Sequence, residues 1–445
     1  MEIREKQLVT FLTVILSIFG LLAIYSAFSY KYTNALHNPL FIKQLIFVII
    51  GLLLMNIVSE IDFKFFLKNS LLFYAGGIVL LIAMLTFLPA VKGRWLNLGL
   101  FSFQPSELMK IIFIVYISKE FAAFSKNKRR MYFINILSFI ARTALLTLFP
   151  AILIFRQPDL GTGLSFVIVY AMLLLFIGES SSIFIFMFFF ALGILLGVIL
   201  RFSEGVGSAL ITFLKSSGWI KMTALVSTGL AFSLLFYILA RFLIGLRIKF
   251  TLIAALSLVL NAGFLFSAAA MKMLKPYQIQ RLRTFLNPYE DMKGSGWHVI
   301  QSKISIGSGG YKGKGLLKGT QNKMNFLPER HTDFIFSLIS EEFGFLGSMA
   351  VLLSQFLILF FLFNTAAHTS SATGFYLSAS VFSLFLTHSA LNTGMNLGIL
   401  PVTGIPLPFV SYGGSVYLSF SFLIGIVMNI SKTTRTAKRV DVYIK

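Results

Sequence analysis

The sequence predicts an all-α polytopic membrane protein, a bundle of about twelve helices with one large connection on the far side of the membrane. Three observations predict it. Only 12% of the residues are charged against 57% hydrophobic, with a mean hydropathy of +0.86, whereas a soluble domain carries about 25% charged residues. The apolar residues come in blocks of about twenty, the length a helix needs to cross roughly 30 Å of hydrocarbon at about 1.5 Å per residue. Basic residues, finally, gather in alternate connections.

In chain order the apolar runs place spans at 8–28, 40–59, 69–89, 105–124, 132–155, 161–178, 181–202, 222–244, 249–271, 333–362, 373–396 and 408–430. The chain therefore divides into transmembrane residues 1–271, a large connection at 272–332, further spans over 333–430 and a basic tail at 431–445. The segment before the first run is short and charged, and no small-x-small cleavage site follows the run, so the first span reads as retained. Zero cysteines exclude disulfides, thiolate metal sites and a cysteine nucleophile. The fifty phenylalanines read as helix-packing and lipid-facing bulk.

Placing the N-terminus in the cytoplasm puts Lys126, Lys128, Arg129, Arg130, then Arg241, Arg247, Lys249, and finally Lys432, Arg435, Lys438 and Arg439 on the cytoplasmic side. That satisfies the positive-inside rule. A formal charge of +22 then reads as topology and contact with anionic membrane lipids rather than as a nucleic-acid surface. The connection 272–332 departs from the pattern, with eleven Lys or Arg against Glu290, Asp291 and Glu329. On charge alone two readings stand level: a solvated loop touching headgroups, and an anion site.

Within that connection Gly307-Ser-Gly-Gly-Tyr-Lys-Gly-Lys-Gly315 resembles a phosphate cradle, because close glycines let backbone N–H groups approach an anion while lysines neutralise it. It is not a Walker loop, since Leu316 stands where that motif needs lysine. A ligand-free turn fits the same residues. Upstream, Glu290 and Asp291 sit between Pro288 and Gly294 among arginines, glycines and aromatics. A carboxylate among cations is either a salt-bridge partner or a base beside a stabilised leaving group.

Charges inside spans are functional candidates by default. Glu107 and Lys110, three apart, share a helix face and can pair. Asp159 lies in Arg156-Gln-Pro-Asp-Leu-Gly-Thr-Gly163 between spans five and six, and Arg94 with Trp95 lies in the connection before span four. Asp333, Ser337 and Glu341 recur every four residues, as do His388, Asn392 and Asn396, so each set makes one polar stripe. Interhelical hydrogen bonding explains such stripes as well as a substrate path does. No His, Glu or Asp spacing matches a zinc site, and Glu329-Arg330-His331 lacks the HExxH pattern.

Taken together these strings resemble the SEDS (shape, elongation, division and sporulation) family. The likeness runs through Gly93-Arg-Trp-Leu96 with Gln104-Pro-Ser-Glu-Leu-Met-Lys110, Gln157-Pro-Asp-Leu-Gly-Thr162, Gln301-Ser-Lys-Ile-Ser-Ile-Gly-Ser-Gly-Gly310, Phe326-Leu-Pro-Glu-Arg-His-Thr-Asp-Phe334, and Leu400 through Ser415. The wording is closer to the rod-shape-determining branch than to the division branch. The resemblance implies a SEDS-like helical bundle in the bacterial cytoplasmic (inner) membrane, multi-pass with both termini cytoplasmic. It implies a peptidoglycan glycosyltransferase that polymerises lipid II into β-1,4-linked strands with release of undecaprenyl pyrophosphate, working with a class B penicillin-binding transpeptidase and other elongation-complex membrane proteins. The family's essential aspartate, in a Pro-x-x-Asp-x-x-Gly-x-Gly pattern, maps onto Asp291. Its intramembrane Glu/Lys pair maps onto Glu107 and Lys110, and its arginine and tryptophan onto Arg94 and Trp95.

Further substrate-binding candidates on the matched strings are Asp159, Gln301, Lys303, Lys312, Lys314, Glu329, Arg330, His331, Asp333 and Ser411. Some of Lys303, Lys312, Lys314 and Arg94 are expected to hold the pyrophosphate. No metal is demanded, and a Mg²⁺ or Mn²⁺ bridging the pyrophosphate is compatible with the reading. Because the family usually has ten spans, the surplus pair reads as an insertion within 182–271. Two rivals stand beside the transferase: a lipid II transporter with a headgroup path along the charged stripes, and a non-catalytic scaffold of the elongation machinery.

Overall fold

The computed structural model describes residues 2–29, 38–87, 94–97, 102–127, 133–157, 159–177, 275–291, 294–320 and 330–443, with single positions at 193, 259 and 263. The spans expected at 181–202, 222–244 and 249–271, and hence the insertion, lie outside the described residues, as does Glu329. The chain forms two compact units, Met1–Leu173 with Trp297–Lys445, and Leu174–Gly296.

In the first unit the helices are α1 (Glu2–Ala27), α2 (Pro39–Val58), α3 (Phe63–Lys68), α4 (Ser70–Thr86), α5 (Pro105–Asn127), α6 (Phe133–Arg156) and α7 (Leu160–Ile177), which runs a few residues past that unit's boundary. A two-stranded hairpin pairs β1 (Leu96–Asn97) with β2 (Ser102–Phe103) before α5. In the second unit lie α8 (Pro276–Leu286) and a 3-10 turn (Pro288–Asp291). α9 (Ser295–Gly309) begins there and continues into the first unit, which closes with α10 (Ile335–His368), α11 (Ala372–Asn396) and α12 (Gly414–Tyr443). Among its described residues the connection 272–332 thus contains two helices and a 3-10 turn.

Among the described residues seven helices are long and apolar enough to cross a membrane, and Ser70–Thr86 is a shorter apolar one. α5 has the length, at 23 residues, but carries Glu107, Lys110, Lys119, Glu120 and Lys126. It tolerates them because it packs on α4 and α11 in the middle of the bundle, so most of its surface meets protein. The protein is a multi-pass membrane protein.

Lipid offers helices no hydrophobic gain on associating, so close packing and hydrogen bonds hold the bundle. Small residues mark the crossings. A Cβ on Gly51 of α2 would lie 2.5 Å from the Tyr417 ring of α12, whose hydroxyl pairs with Ser17 of α1 at 2.7 Å. Ser118 of α5 meets Ser380 of α11 at 2.9 Å. Apolar side chains turn outward instead: Leu53, Phe356 and Phe360 are 59%, 61% and 57% exposed.

Between α11 and α12, residues 397–413 form no helix, yet Ile405, Leu407, Phe409 and Val410 are buried. His388, which meets the carbonyl of Pro406, lies eight residues before the end of α11, so the segment dips about 12 Å into the bundle at about 1.5 Å per residue. At that depth each backbone polar group needs a protein partner. Side chains supply them: Asn392 Nδ2 donates to the Ile405 carbonyl at 2.8 Å, Gln355 Nε2 to that of Pro408 at 2.8 Å, and the Leu407 amide donates to Ser411 Oγ at 2.9 Å.

Candidate functional site

At the end of the first unit where α5, α7 and α12 begin, the hairpin and the α7 N-terminus bring three predicted groups together. Asp159 precedes α7 and is 5% exposed. Its Oδ1 accepts from the Thr162 amide at 3.2 Å, capping the helix, and its Oδ2 accepts from Gln104 Nε2 at 2.6 Å. An acidic cap suits the positive end of a helix. Arg94 reaches the same carboxylate at 4.0 Å and stays about one third exposed. Trp95 is half-buried beside it.

One turn into α5 lies the pair the spacing predicted. Lys110 Nζ contacts Glu107 Oε1 at 2.8 Å and His388 Nε2 on α11 at 3.4 Å, and Glu107, Lys110 and His388 are 2%, 1% and 1% exposed. His388 Nδ1 faces the Pro406 carbonyl at 3.2 Å. A carbonyl only accepts and an ammonium only donates, so Nδ1 carries the proton and Nε2 accepts from lysine. This network ties α5, α11 and the 397–413 segment into one block.

The two polar stripes face one another through α9. Ser337 of α10 donates from its amide, at 3.1 Å, and its hydroxyl, at 2.5 Å, to Asn396 Oδ1. Ser302 of α9 pairs with Ser337 at 2.5 Å and donates to the Asn396 carbonyl at 2.7 Å. Asn392 and Asn396 both donate to the carbonyl of Asp333, which sits in the turn just before α10 rather than on it. Ser411 donates to the Thr332 carbonyl at 2.6 Å, and the Tyr412 amide to that of His331 at 2.9 Å. His331 packs edge-on against Phe28 at 5.0 Å between ring centroids, and Arg330 is buried at 4% exposure.

The glycine run calls for a correction. α9 carries Gly307 to Gly309, and the turn after it lies against a kink in α10, where Gly344 takes φ 66° and ψ −159°. The amides of Gly313, Lys314 and Gly315 already donate to the carbonyls of Gly309, Glu341 and Glu342, each at 2.9 Å. They cannot cradle a phosphate. Glycine is required at 313 and 344 because both take positive φ and a Cβ on either would press into the other's backbone. Lys314 is engaged too, donating to buried Glu341 at 2.7 Å and to Thr320 Oγ1 at 2.7 Å. Of the lysines expected at an anion, Lys303 and Lys312 are exposed on α9 and the turn, with the Lys303 stem lying over Gly398. Gln301 is 5% exposed, and its Oε1 has no hydrogen-bond partner among the described residues; the same holds for Glu107 Oε2 and Arg94 Nε.

In the second unit, Asp291 closes the 3-10 turn and is half-buried. The two glycines after it have distinct reasons. A Cβ on Gly294 would sit 2.5 Å from Asp291 Oδ2, so the carboxylate lies folded over that glycine. A Cβ on Gly296 would run into the Pro288 carbonyl. The spacing Pro-x-x-Asp-x-x-Gly-x-Gly is therefore a clasp that fixes where the carboxylate points. Neither the carbonyl-binding role of α11 nor the Lys314–Glu341 pair was foreseen, since both depend on partners far away in sequence.

The family model for FtsW, RodA and SpoVE, described as cell cycle protein, matches residues 6–217 and 206–436. The chain is 33% identical to the peptidoglycan glycosyltransferase RodA of Treponema pallidum, over 93% of this chain and 94% of that protein. It is 30% identical to the peptidoglycan glycosyltransferase MrdB of Escherichia coli, over 86% and 83%, and 30% identical to stage V sporulation protein E of Bacillus subtilis, over 96% and 97%. Among solved structures, a chain from a peptidoglycan synthase complex, described as coordinating polymerization and crosslinking, matches with a TM-score of 0.62 at 24% identity, covering 96% and 97%. The rod shape determining protein RodA of Thermus thermophilus matches with a TM-score of 0.56 at 20% identity, covering 96% of each chain. At these identities the structures speak for the fold.

Proposed function

Since the chain belongs to the FtsW, RodA and SpoVE family of cell cycle proteins, we propose that it is a peptidoglycan glycosyltransferase that polymerises lipid II for cell-wall elongation and rod shape. The names of its relatives support the activity, and the clasped carboxylate of Asp291 is the observation that carries the choice of base.

In this reading the Asp291 carboxylate accepts the proton of the acceptor's N-acetylglucosamine C4 hydroxyl as that oxygen attacks C1 of the donor's N-acetylmuramic acid. The C1–O bond to pyrophosphate breaks and the configuration inverts from α to β. Negative charge grows on the departing undecaprenyl pyrophosphate, where cations lower the barrier. Lys303, Lys312 and Arg94 are assigned to it, and the Gln301 amide to a polar group of substrate. Trp95 offers a ring face for a sugar. Lys314, Ser411, Glu107, Lys110, Asp159 and Asp333 hold the frame. A Mg²⁺ or Mn²⁺ bound to the pyrophosphate would neutralise part of its charge; among the described residues no group of three or more His, Asp and Glu is placed to hold an ion.

The membrane is the bacterial cytoplasmic membrane, with both termini in the cytoplasm. Lys6, Lys119, Lys126 and Lys432 gather at one end of the bundle, which supports that orientation. The partner is a class B penicillin-binding transpeptidase, a reading supported by the solved synthase complex that this fold resembles. The test is polymerisation of purified lipid II by the purified protein, with and without that partner. Asp291→Asn should abolish glycan chains while the protein stays monodisperse with an unchanged melting profile. Chain growth at the wild-type rate would remove Asp291 from the role.

A further inference from the structure

One face of α6 is anomalous for a span that meets lipid. Asn135, Ser138, Arg142, Leu145, Phe149 and Ile152 are all exposed, and their spacing of three and four residues puts them in a single stripe. The stripe changes character partway along. From Asn135 to Arg142 it is polar over about 10 Å, and from Leu145 to Ile152 it is apolar over about 10 Å more, at about 1.5 Å per residue. The polar half is the one nearer the start of α6, at the bundle end that carries Lys119 and Lys126.

Beside the polar half opens a cavity of about 410 Å³ lined by Glu120, Phe124, Asn135, Ser138, Phe139 and Arg142, with Ala123 between. Phe124 and Phe139 stack with 3.9 Å between ring centroids and form an apolar wall. Across the notch Arg142 pairs with Glu120 of α5, and the arginine side chain is still 63% exposed. An arginine exposed this far along a membrane span needs a polar partner or a route to the headgroups. Glu120 satisfies part of a fork that has five N–H donors.

The geometry points to a bound phospholipid: its headgroup in the notch and an acyl chain along Leu145, Phe149 and Ile152. A polar pocket continuous with an apolar strip on one helix face has the head-and-tail pattern of an amphiphile. A partner's transmembrane helix would instead be expected to follow the whole span. The notch presents a cation and an anion side by side, so the matching headgroup is zwitterionic. Its phosphate accepts from Arg142 and its primary ammonium donates to Glu120, while Ser138, whose hydroxyl donates to the Asn135 carbonyl at 3.0 Å, shapes the floor of the notch. This inference does not rest on the transferase reading.

The experiment uses the full-length protein, delipidated in mild detergent and exposed to defined phosphatidylethanolamine, phosphatidylcholine or phosphatidylglycerol, with bound lipid counted by native mass spectrometry. Wild type should retain phosphatidylethanolamine in preference to phosphatidylcholine, whose quaternary amine has no N–H to donate. Arg142→Gln should lower retention about tenfold, the scale of losing a charge-assisted hydrogen bond. Ser138→Leu, which fills the notch and leaves the ion pair intact, should lower it similarly with the melting profile unchanged. Glu120→Gln should erase the preference for phosphatidylethanolamine over phosphatidylglycerol. Equal retention of the three lipids, wild-type retention by Ser138→Leu, or a photo-crosslinker at position 138 that captures protein in place of lipid would each overturn the proposal.

Discussion

Replacing Lys110 by methionine isolates the buried network at the centre of the bundle. Methionine keeps the stem's packing volume and removes the ammonium. Glu107 then stands 2% exposed with its cation gone, and His388 loses the donor to its Nε2. Removing one partner of a buried ion pair costs about 3–5 kcal/mol, because the remaining charge is left uncompensated. At roughly 1.4 kcal/mol per factor of ten, that is two to three and a half powers of ten in the folding equilibrium. The second replacement should recover much of it: with Glu107→Gln added, no bare charge remains. The assay is equilibrium unfolding of purified protein in mixed micelles across a denaturing-detergent titration, followed by the fluorescence of its three tryptophans. The expected order is wild type, then the double variant, then Lys110→Met. A shift below tenfold for Lys110→Met, or a double variant less stable than the single, refutes the argument that this pair is a buried charge held in balance.

Three further outcomes follow from named contacts. Gly294→Ala displaces the Asp291 carboxylate and Gly296→Ala meets the Pro288 carbonyl; both should cut lipid II polymerisation at least tenfold, about 1.4 kcal/mol of transition-state stabilisation, while Gly76→Ala, whose Cβ meets nothing within 4 Å, leaves activity intact. Gly344→Ala should destabilise by more than the roughly 1–2 kcal/mol of a left-handed residue, since its Cβ also strikes the Gly313 amide, read as a fall in melting temperature. Glu60 accepts from Lys6 at 2.7 Å and Lys432 at 2.5 Å, and these bonds lower its pKa from 4.5 to about 2. A depressed carboxylate pKa stabilises the fold above the unfolded value and loses that contribution as pH falls from about 4.5 through 2. The melting-temperature gap between wild type and Glu60→Gln should be small, because the site is exposed, and should close over that window and in high salt.

Span positions were legible because a block of apolar residues about 20 long has few fates in a membrane protein: the expected 373–396 is observed as Ala372–Asn396, and 161–178 as Leu160–Ile177. The Glu107–Lys110 pair was legible because i and i+3 share a helix face whatever the tertiary structure. The stripe His388, Asn392, Asn396 was visible, but its use was not, because its partners are carbonyls of Asp333, Ile405 and Pro406 brought in by a non-helical segment. The glycine run misled for a related reason. Close glycines reveal that amides are accessible, and only the kink at Gly344 decides that the carbonyls of Glu341 and Glu342 take them.

Those two failures have one physical cause, and it bears on the transporter reading. Non-helical backbone at membrane depth persists only where protein groups satisfy its polar atoms. Segment 397–413 is served by His388, Asn392 and Gln355, and the turn 310–315 by the kinked carbonyls of α10. The residues that would line a headgroup path along spans four, ten and eleven are therefore already committed to backbone or to one another: Asn396 to Ser337 and Asp333, Lys110 to Glu107 and His388, Glu341 to Lys314. Passing a polar headgroup between them would break several buried hydrogen bonds at once, each costing about 1–3 kcal/mol when a partner is left unsatisfied. A frame locked in this way leaves the transporter reading without the path it needs.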